Sequence, residues 1–289
     1  MTDPDFALLC AIRERPLDGP AVWARLSGMD ASAARRRIAK LEATGALRGF
    51  SAIPDAAVFD RTYTPHQFDA PDGCDEDAIL AVPDVAWFAR TLQGNLYVIT
   101  YEDGTPRRAE LEALLGPNIG TFAHADQAQR DPSAILGRIS LKVLRELILD
   151  PRATIQQLTE RTGLGAKTVR NHRAELLAKR HVTIDPLLRT PNVPGRLFYN
   201  LAVEVDDNQH RQAVADAVPD AVLVNHFDEP PVAYMFATAA GLIEQGQHLQ
   251  AIGRIPHVAD VRLIVNQEYG VATERLVGWC DEAIAAWSR

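Results

Sequence analysis

The chain has 289 residues, of which 47% are apolar and 24% charged, and a formal charge of −8. This composition excludes a disordered, collagenous or coiled-coil chain and leaves room for one sizeable core or two smaller ones. No apolar run approaches the roughly 18–20 residues of a membrane span, and the start, Met1-Thr2-Asp3-Pro4-Asp5, has neither the basic flank nor the apolar centre of a signal peptide. A cytoplasmic protein without membrane contact is expected. Cys10, Cys74 and Cys280 are too few and too far apart for a disulfide framework or a metal knuckle, so no metal is expected either.

In chain order, Phe6, Leu9 and Ile12 recur at near-helical spacing and predict a first helix. A short second helix carries Val22, Trp23 and Leu26 and closes at Ser27-Gly28-Met29, where glycine permits the tight corner of a helix-turn-helix. Asp30 is a good N-cap for a third helix, in which Ala34, Ile38 and Leu41 form an inward stripe and Arg35, Arg36 and Lys40 point outward. After Gly45, a fitting helix stop, Leu47 to Ile53 alternates like the first strand of a wing hairpin. An opening strand and helix between Arg61 and Val82 are poorly marked. Trp87 to Leu92 and Leu96 to Tyr101 then form a hairpin about Gln93-Gly94-Asn95, and Arg107 to Leu115 a helix.

The pattern then restarts. A shift of 135 positions superposes Leu9 on Leu144, Pro16 on Pro151, Gly28 on Gly163, Ala31 on Ala166, Arg35 on Arg170, Leu41 on Leu176 and Ala43 on Ala178. The second copy has helices around Leu141, Leu144, Leu147 and Ile148, around Ile155 and Leu158, and after Gly165. It continues with strands at Leu197–Val205, Ala221–Phe227, Val232–Thr238 and Val258–Asn266, and helices at Gln209–Val218 and Leu242–Ile252. That is βαββαβ, a ferredoxin-like sandwich. A final helix, Ala272 to Trp287, places Leu276, Cys280, Ile284 and Trp287 on one docking side. The expected fold is α+β: winged helix-turn-helix units at 1–57 and 131–191, each followed by a ferredoxin-like unit, at 58–130 in shortened form and at 192–289.

Charge is unevenly spread. Positions 35–48 hold Arg35, Arg36, Arg37, Lys40 and Arg48 against Glu42, a net +4, and positions 161–180 hold six cations against Glu175, a net +5, in a chain otherwise strongly acidic. Two equivalent basic helices, each after a glycine turn, suit DNA: arginine reads guanine edges in the major groove while neighbouring cations grip phosphates. The expected DNA-contacting residues are Arg35, Arg36, Arg37, Lys40 and Arg48 in the first copy and Lys167, Thr168, Arg170, Asn171 and Arg173 in the second. The copies differ, since Arg173 replaces the apolar Ile38 and Lys179-Arg180-His181 replaces Thr44-Gly45-Ala46.

The stretch Asp5 to Asp55, above all Ala33-Ala34-Arg35-Arg36-Arg37-Ile38-Ala39-Lys40-Leu41-Glu42-Ala43-Thr44-Gly45-Ala46-Leu47-Arg48-Gly49-Phe50, resembles the winged helix of Lrp/AsnC (feast/famine) transcription regulators. In that family an arginine-bearing helix runs into a Leu-Glu-x-x-Gly turn, here Leu41-Glu42-Ala43-Thr44-Gly45. The βαββαβ units resemble its effector-binding and oligomerisation (RAM-like) domain. The resemblance implies a transcription regulator that binds double-stranded DNA, an internal pseudo-dimer with further homo-oligomerisation, and a small-molecule effector such as an amino acid. Effector binding in the family uses the loop between the second and third strands, often Gly-Asp-x-Asp-like. Its counterparts here are Gly94, Asn95 and Tyr97 in the first copy and His226 and Asp228 in the second, where Phe227-Asp228-Glu229-Pro230-Pro231 departs from the pattern.

No Walker loop, no GxGxxG after a strand, no HExxH and no GxSxG is present, so no enzyme and no cofactor are expected. Two alternatives compete. Siroheme decarboxylases resemble tandem regulators of this family, yet Ser51 to Phe59 lacks the basic, histidine-containing stretch expected of them. An adaptor whose winged helices have become protein-binding surfaces is the other.

Overall fold

The computed structural model describes residues 4–69, 75–92, 94–120, 135–189, 192–193, 196–218, 221–228 and 231–287. Helices α1 (Pro4–Glu14), α2 (Pro20–Leu26) and α3 (Ala31–Ala43) form the first helical unit. Gly28, at φ 71°, makes the α2–α3 corner, and the Asp30 carboxylate caps α3 by accepting from the Ala33 amide at 2.8 Å. Ala34, Ile38 and Leu41 are buried, as their spacing predicts. Strand β1 (Leu47–Pro54) leads through a 3-10 turn to β2 (Thr62–Asp69), α4 (Glu76–Ala81), β3 (Val85–Thr91), β4 (Asn95–Glu102), α5 (Arg108–Leu115) and β5 (Asn118–Gly120).

The same order recurs in α6 (Arg138–Leu149), α7 (Ile155–Thr162), α8 (Ala166–Ala178), β6 (Val182–Leu188), β7 (Leu197–Val205), α9 (Arg211–Asp216), β8 (Ala221–Asp228), β9 (Pro231–Ala239), α10 (Leu242–Gly253) and β10 (Val258–Ile264). Strand β11 (Asn266–Val271) and helix α11 (Thr273–Ala286) complete the chain. The second sheet runs β10-β7-β9-β8 and the first β11-β3-β4-β2-β5, so both α/β units have ferredoxin-like strand order. The first is the more compact, its last strand β5 having three residues.

Four expectations are corrected. No wing hairpin forms at β1. Instead β1 pairs antiparallel with β6, Ser51 facing Asp185 and Ala52 facing Ile184, because each unit offers one strand whose amides and carbonyls are satisfied only by the other. The stretch after Val265, read as the end of a strand and a connection, is β11, which crosses to the first sheet and pairs with the otherwise open edge of β3. Trp287 is 57% exposed, since α11 ends at Ala286 and Trp279 takes the docked position instead. The helix expected at Gln209–Val218 begins as a 3-10 turn at Asn208–His210 and ends at Asp216.

Packing is crossed between units. The first helical core, with Phe6, Leu9, Ile12 and Trp23, continues into Phe198 and Phe236 of the second sheet, Phe6 and Phe236 stacking at 5.4 Å. The second helical core, with Leu141, Leu144, Leu158 and Leu176, continues into Ile99 and Tyr101 of the first sheet and into Leu276 and Trp279 of α11. Arg152 fastens the helical units to each other. It donates to the Asp18 carbonyl at 2.8 Å and lies 4.8 Å from the Trp23 ring centroid and 4.6 Å from that of Phe50.

The crossing strand gives a direct stability prediction. Gly270 lies opposite Phe88, and a β-carbon at 270 would stand 2.2 Å from the ring atom Cε1 of Phe88, which is itself fully buried. Gly270→Ala is therefore expected to destabilise the protein by about 1–3 kcal/mol through overpacking, read as a lower thermal midpoint. An unchanged midpoint would mean that β11 does not lie on β3.

His66 on β2 is buried, with Nε2 3.2 Å from Thr100 Oγ1 and 3.6 Å from Glu102 Oε1, and burial holds its pKa below the ordinary 6.5. The unfolded chain then binds a proton more readily than the folded one, so stability rises with pH in this window. The contribution of His66 is present above about pH 6.5 and lost as pH falls through the lower folded value. Urea midpoints compared at pH 7 and pH 5 should fall less in His66→Gln than in the unaltered protein.

Candidate nucleic-acid interface

Helices α3 and α8 present the cations, and their packing decides which are available. Arg35, Arg36 and Lys40 are exposed and have no ion-pair partner among the described residues. The Ala33 amide, helped by nearby Arg36, holds the Asp30 carboxyl below its usual value, so the cap itself remains an anion at the start of the helix. Arg37 is different: its guanidinium pairs with Asp5 of α1 at 2.5 Å, fastening α3 to α1. At its far end α3 is held by Asn192, whose side-chain amide donates to the Thr44 carbonyl at 2.9 Å.

On α8, Lys167, Arg170 and Asn171 are exposed, whereas Thr168 is half-buried. Arg173, the counterpart of Ile38, lies half-buried, its guanidinium 3.4 Å from the Ala153 carbonyl and its pKa lowered chiefly by burial. Lys179 pairs with Glu175 at 2.7 Å. His172, whose Nδ1 is 2.8 Å from Ser140 Oγ, links α8 back to α6. Arg25, exposed at the last turn of α2, is a further cation, and it lies outside the two basic segments that the charge pattern marks.

Arg48 lies on the β1–β6 ribbon rather than on a hairpin tip. With Leu187, Leu188, Arg189 and Tyr269 it lines a recess of about 110 Å³. That is below the ~300 Å³ at which small-molecule clefts begin.

Of the residues expected to contact an effector, Gly94, Asn95 and Tyr97 lie within the described part of the first α/β unit. Gly94, at φ 84°, is exposed in the turn between β3 and β4, and half-buried Asn95 begins β4, where its amide donates to Thr91 Oγ1 at 3.2 Å and its side-chain oxygen accepts from Gln67 at 3.3 Å. Tyr97 sits further along β4, its phenol pKa pushed up by burial and moderated by Arg262 of the second unit. His226 and Asp228 belong to β8, but their side chains lie outside the described residues, as do Gln93 and Cys74. Ser51 to Phe59, the segment that lacks the basic, histidine-containing stretch expected of siroheme decarboxylases, runs along β1 into the 3-10 turn with Ser51, Ala52, Ala56 and Val58 buried.

The trios α1–α3 and α6–α8 are both helix-turn-helix units. Residues 136–179 match the family model for winged helix-turn-helix DNA-binding domains, which covers α6, α7 and α8. Among curated proteins, none matches this chain by sequence. Solved structures that it is similar to include the siroheme decarboxylase NirDL, at 13% identity over 99% of this chain and 100% of that one, with a TM-score of 0.47. A transcriptional regulator of Neisseria meningitidis crystallised with L-Met is 17% identical over 47% of this chain and 90% of its own, with a TM-score of 0.32. The leucine response regulatory protein LrpA of Mycobacterium tuberculosis is 22% identical over 47% and 96%, with a TM-score of 0.34.

Proposed function

We propose that this protein is a sequence-specific DNA-binding transcription regulator of the Lrp/AsnC type, in which one duplicated chain does the work of a dimer. The observation that carries the reading is that the two third helices, one of them within the matched winged-helix segment, each pack through one side and on the other expose cations that have no ion-pair partner among the described residues. In this reading Arg35, Arg36 and Lys40 on α3 and Lys167, Arg170 and Asn171 on α8 enter successive major grooves, with Arg48 and Arg25 on phosphates. Arg37 and Arg173 hold the helices rather than the DNA. A chain of net charge −8 suits this division, because binding is confined to the two cationic faces and repelled elsewhere.

The test is binding of the purified chain to fragments of its own upstream region and to an unrelated duplex, titrated across salt, with an absorbance spectrum of the same sample. Preference for one fragment with a steep loss of affinity as salt rises supports the regulator. Absence of any DNA preference overturns it. A tetrapyrrole-like band would then favour the decarboxylase and a blank spectrum the adaptor.

A further inference from the structure

Far from both basic helices in sequence, three side chains of the second α/β unit meet at one edge of its sheet. Asp206 follows β7, His210 ends the 3-10 turn that precedes α9, and His257 stands just before β10. The Asp206 carboxylate faces both imidazoles at once, Oδ1 at 2.7 Å from His210 Nδ1 and Oδ2 at 2.8 Å from His257 Nδ1. The rings stack nearly parallel, with centroids 3.8 Å apart and planes 9° from each other. The three donor atoms lie within 4.8 Å of one another.

We propose that Asp206, His210 and His257 form a binding site for a divalent transition-metal ion of borderline softness, such as zinc, cobalt or nickel. Two imidazole nitrogens and one carboxylate oxygen suit such ions, whereas magnesium and calcium take oxygen shells. Nitrogen–oxygen separations of 2.7–2.8 Å are hydrogen-bond distances, shorter than the edge of a tetrahedral shell with bonds of ~2.0–2.2 Å, so the two stacked imidazoles must rotate apart to turn both nitrogens toward one ion. On binding, each imidazole moves its proton from Nδ1 to Nε2 and stays neutral, giving up its hydrogen bond to Asp206 for a metal bond.

The backbone is arranged for this convergence. His257 has φ 108°, a conformation that side-chain-bearing residues rarely adopt, and the Asp206 amide donates to its carbonyl at 3.0 Å. Metal binding would clip the end of β7 to the start of the edge strand β10, which are also paired through Val205 and Val258. The side chains are 23–55% exposed, which leaves coordination positions open to water.

The test uses the full-length protein freed of metal by dialysis against a chelator. Titration with zinc should show one equivalent bound with a rise in thermal midpoint, and cobalt should develop visible absorption bands of a low-symmetry site. Magnesium should leave the midpoint unmoved. Asp206→Asn and His210→Gln should each weaken zinc binding by at least about tenfold. His257→Gly provides the control for folding, because glycine accepts the same φ: it should keep the metal-free midpoint and lose the cobalt bands. No saturable zinc binding by the unaltered protein, an equal response to magnesium, or undiminished one-equivalent binding in the His210→Gln/His257→Gly double variant would each overturn the proposal.

Discussion

Alanine at Arg35, Arg36 and Lys40 together is expected to lower affinity for a specific duplex by about 2–6 kcal/mol if both arginines read bases, since each good contact to a base edge is worth about 1–3 kcal/mol. The thermal midpoint should hardly move, because all three side chains are exposed and make no ion pair among the described residues. Arg36→Ala alone separates two roles. A change in sequence preference marks base readout, whereas uniform weakening with a salt slope shallower by roughly 0.9 per lost phosphate contact marks backbone contact. Arg37→Ala should do the opposite of the triple variant. Its partner is Asp5, so it should lower stability by up to about 1 kcal/mol and leave DNA preference intact. Full affinity in the triple variant would remove α3 from the interface. Fluorescence anisotropy at several salt concentrations measures all of these.

The largest loss of stability is expected at Trp279. Its indole is 7% exposed, stacks at 5.8 Å on Tyr101, lies 5.6 Å from Phe59 and carries the Arg61 guanidinium at 4.4 Å. Arg61 in turn pairs with Asp84 at 2.7 Å, and Asp84 with Arg107 at 2.8 Å. Trp279→Ala thus opens a cavity where α11, the first sheet and the second helical unit meet, at a cost of about 3–5 kcal/mol. Trp287→Ala, one helix end away but exposed, should stay within about 0.5 kcal/mol of the unaltered protein. Urea unfolding of the pair compares them directly. Equal effects of the two substitutions would mean that α11 docks through a different face.

Much of the architecture was legible because local signals agreed with tertiary ones. The inward stripe Ala34, Ile38 and Leu41, the Asp30 cap and the Gly28 and Gly163 corners are all short-range features, and all are found where expected. The family match falls on the second copy, whose helix α7 starts with a capping box, Thr154 with Gln157, and stops at left-handed Gly163. Long-range pairing was not legible. Nothing local in Leu47 to Pro54 says that its partner is β6, and Asn266 to Val271 carries no sign that it serves the first sheet; only Gly270 under Phe88 records the contact. On the candidate site, the charge pattern marked the two helices but could not separate Arg37 from Arg36. Adjacent residues on a helix point about 100° apart, and only the position of Asp5 decides which one is tied down. The Asp206, His210 and His257 cluster was hidden for the same reason, since just the i, i+4 pair is local.

In the proposed function one chain presents two DNA-reading helices together. A hydroxyl-radical footprint on a preferred fragment, made with the unaltered chain and with the Arg35, Arg36 and Lys40 alanine variant, tests it most directly. The account expects two protected patches for the unaltered chain, separated by about one helical turn or a multiple of it, with one patch lost in the variant and the other retained. A single patch in the unaltered chain, or two patches that survive the substitutions, would contradict it.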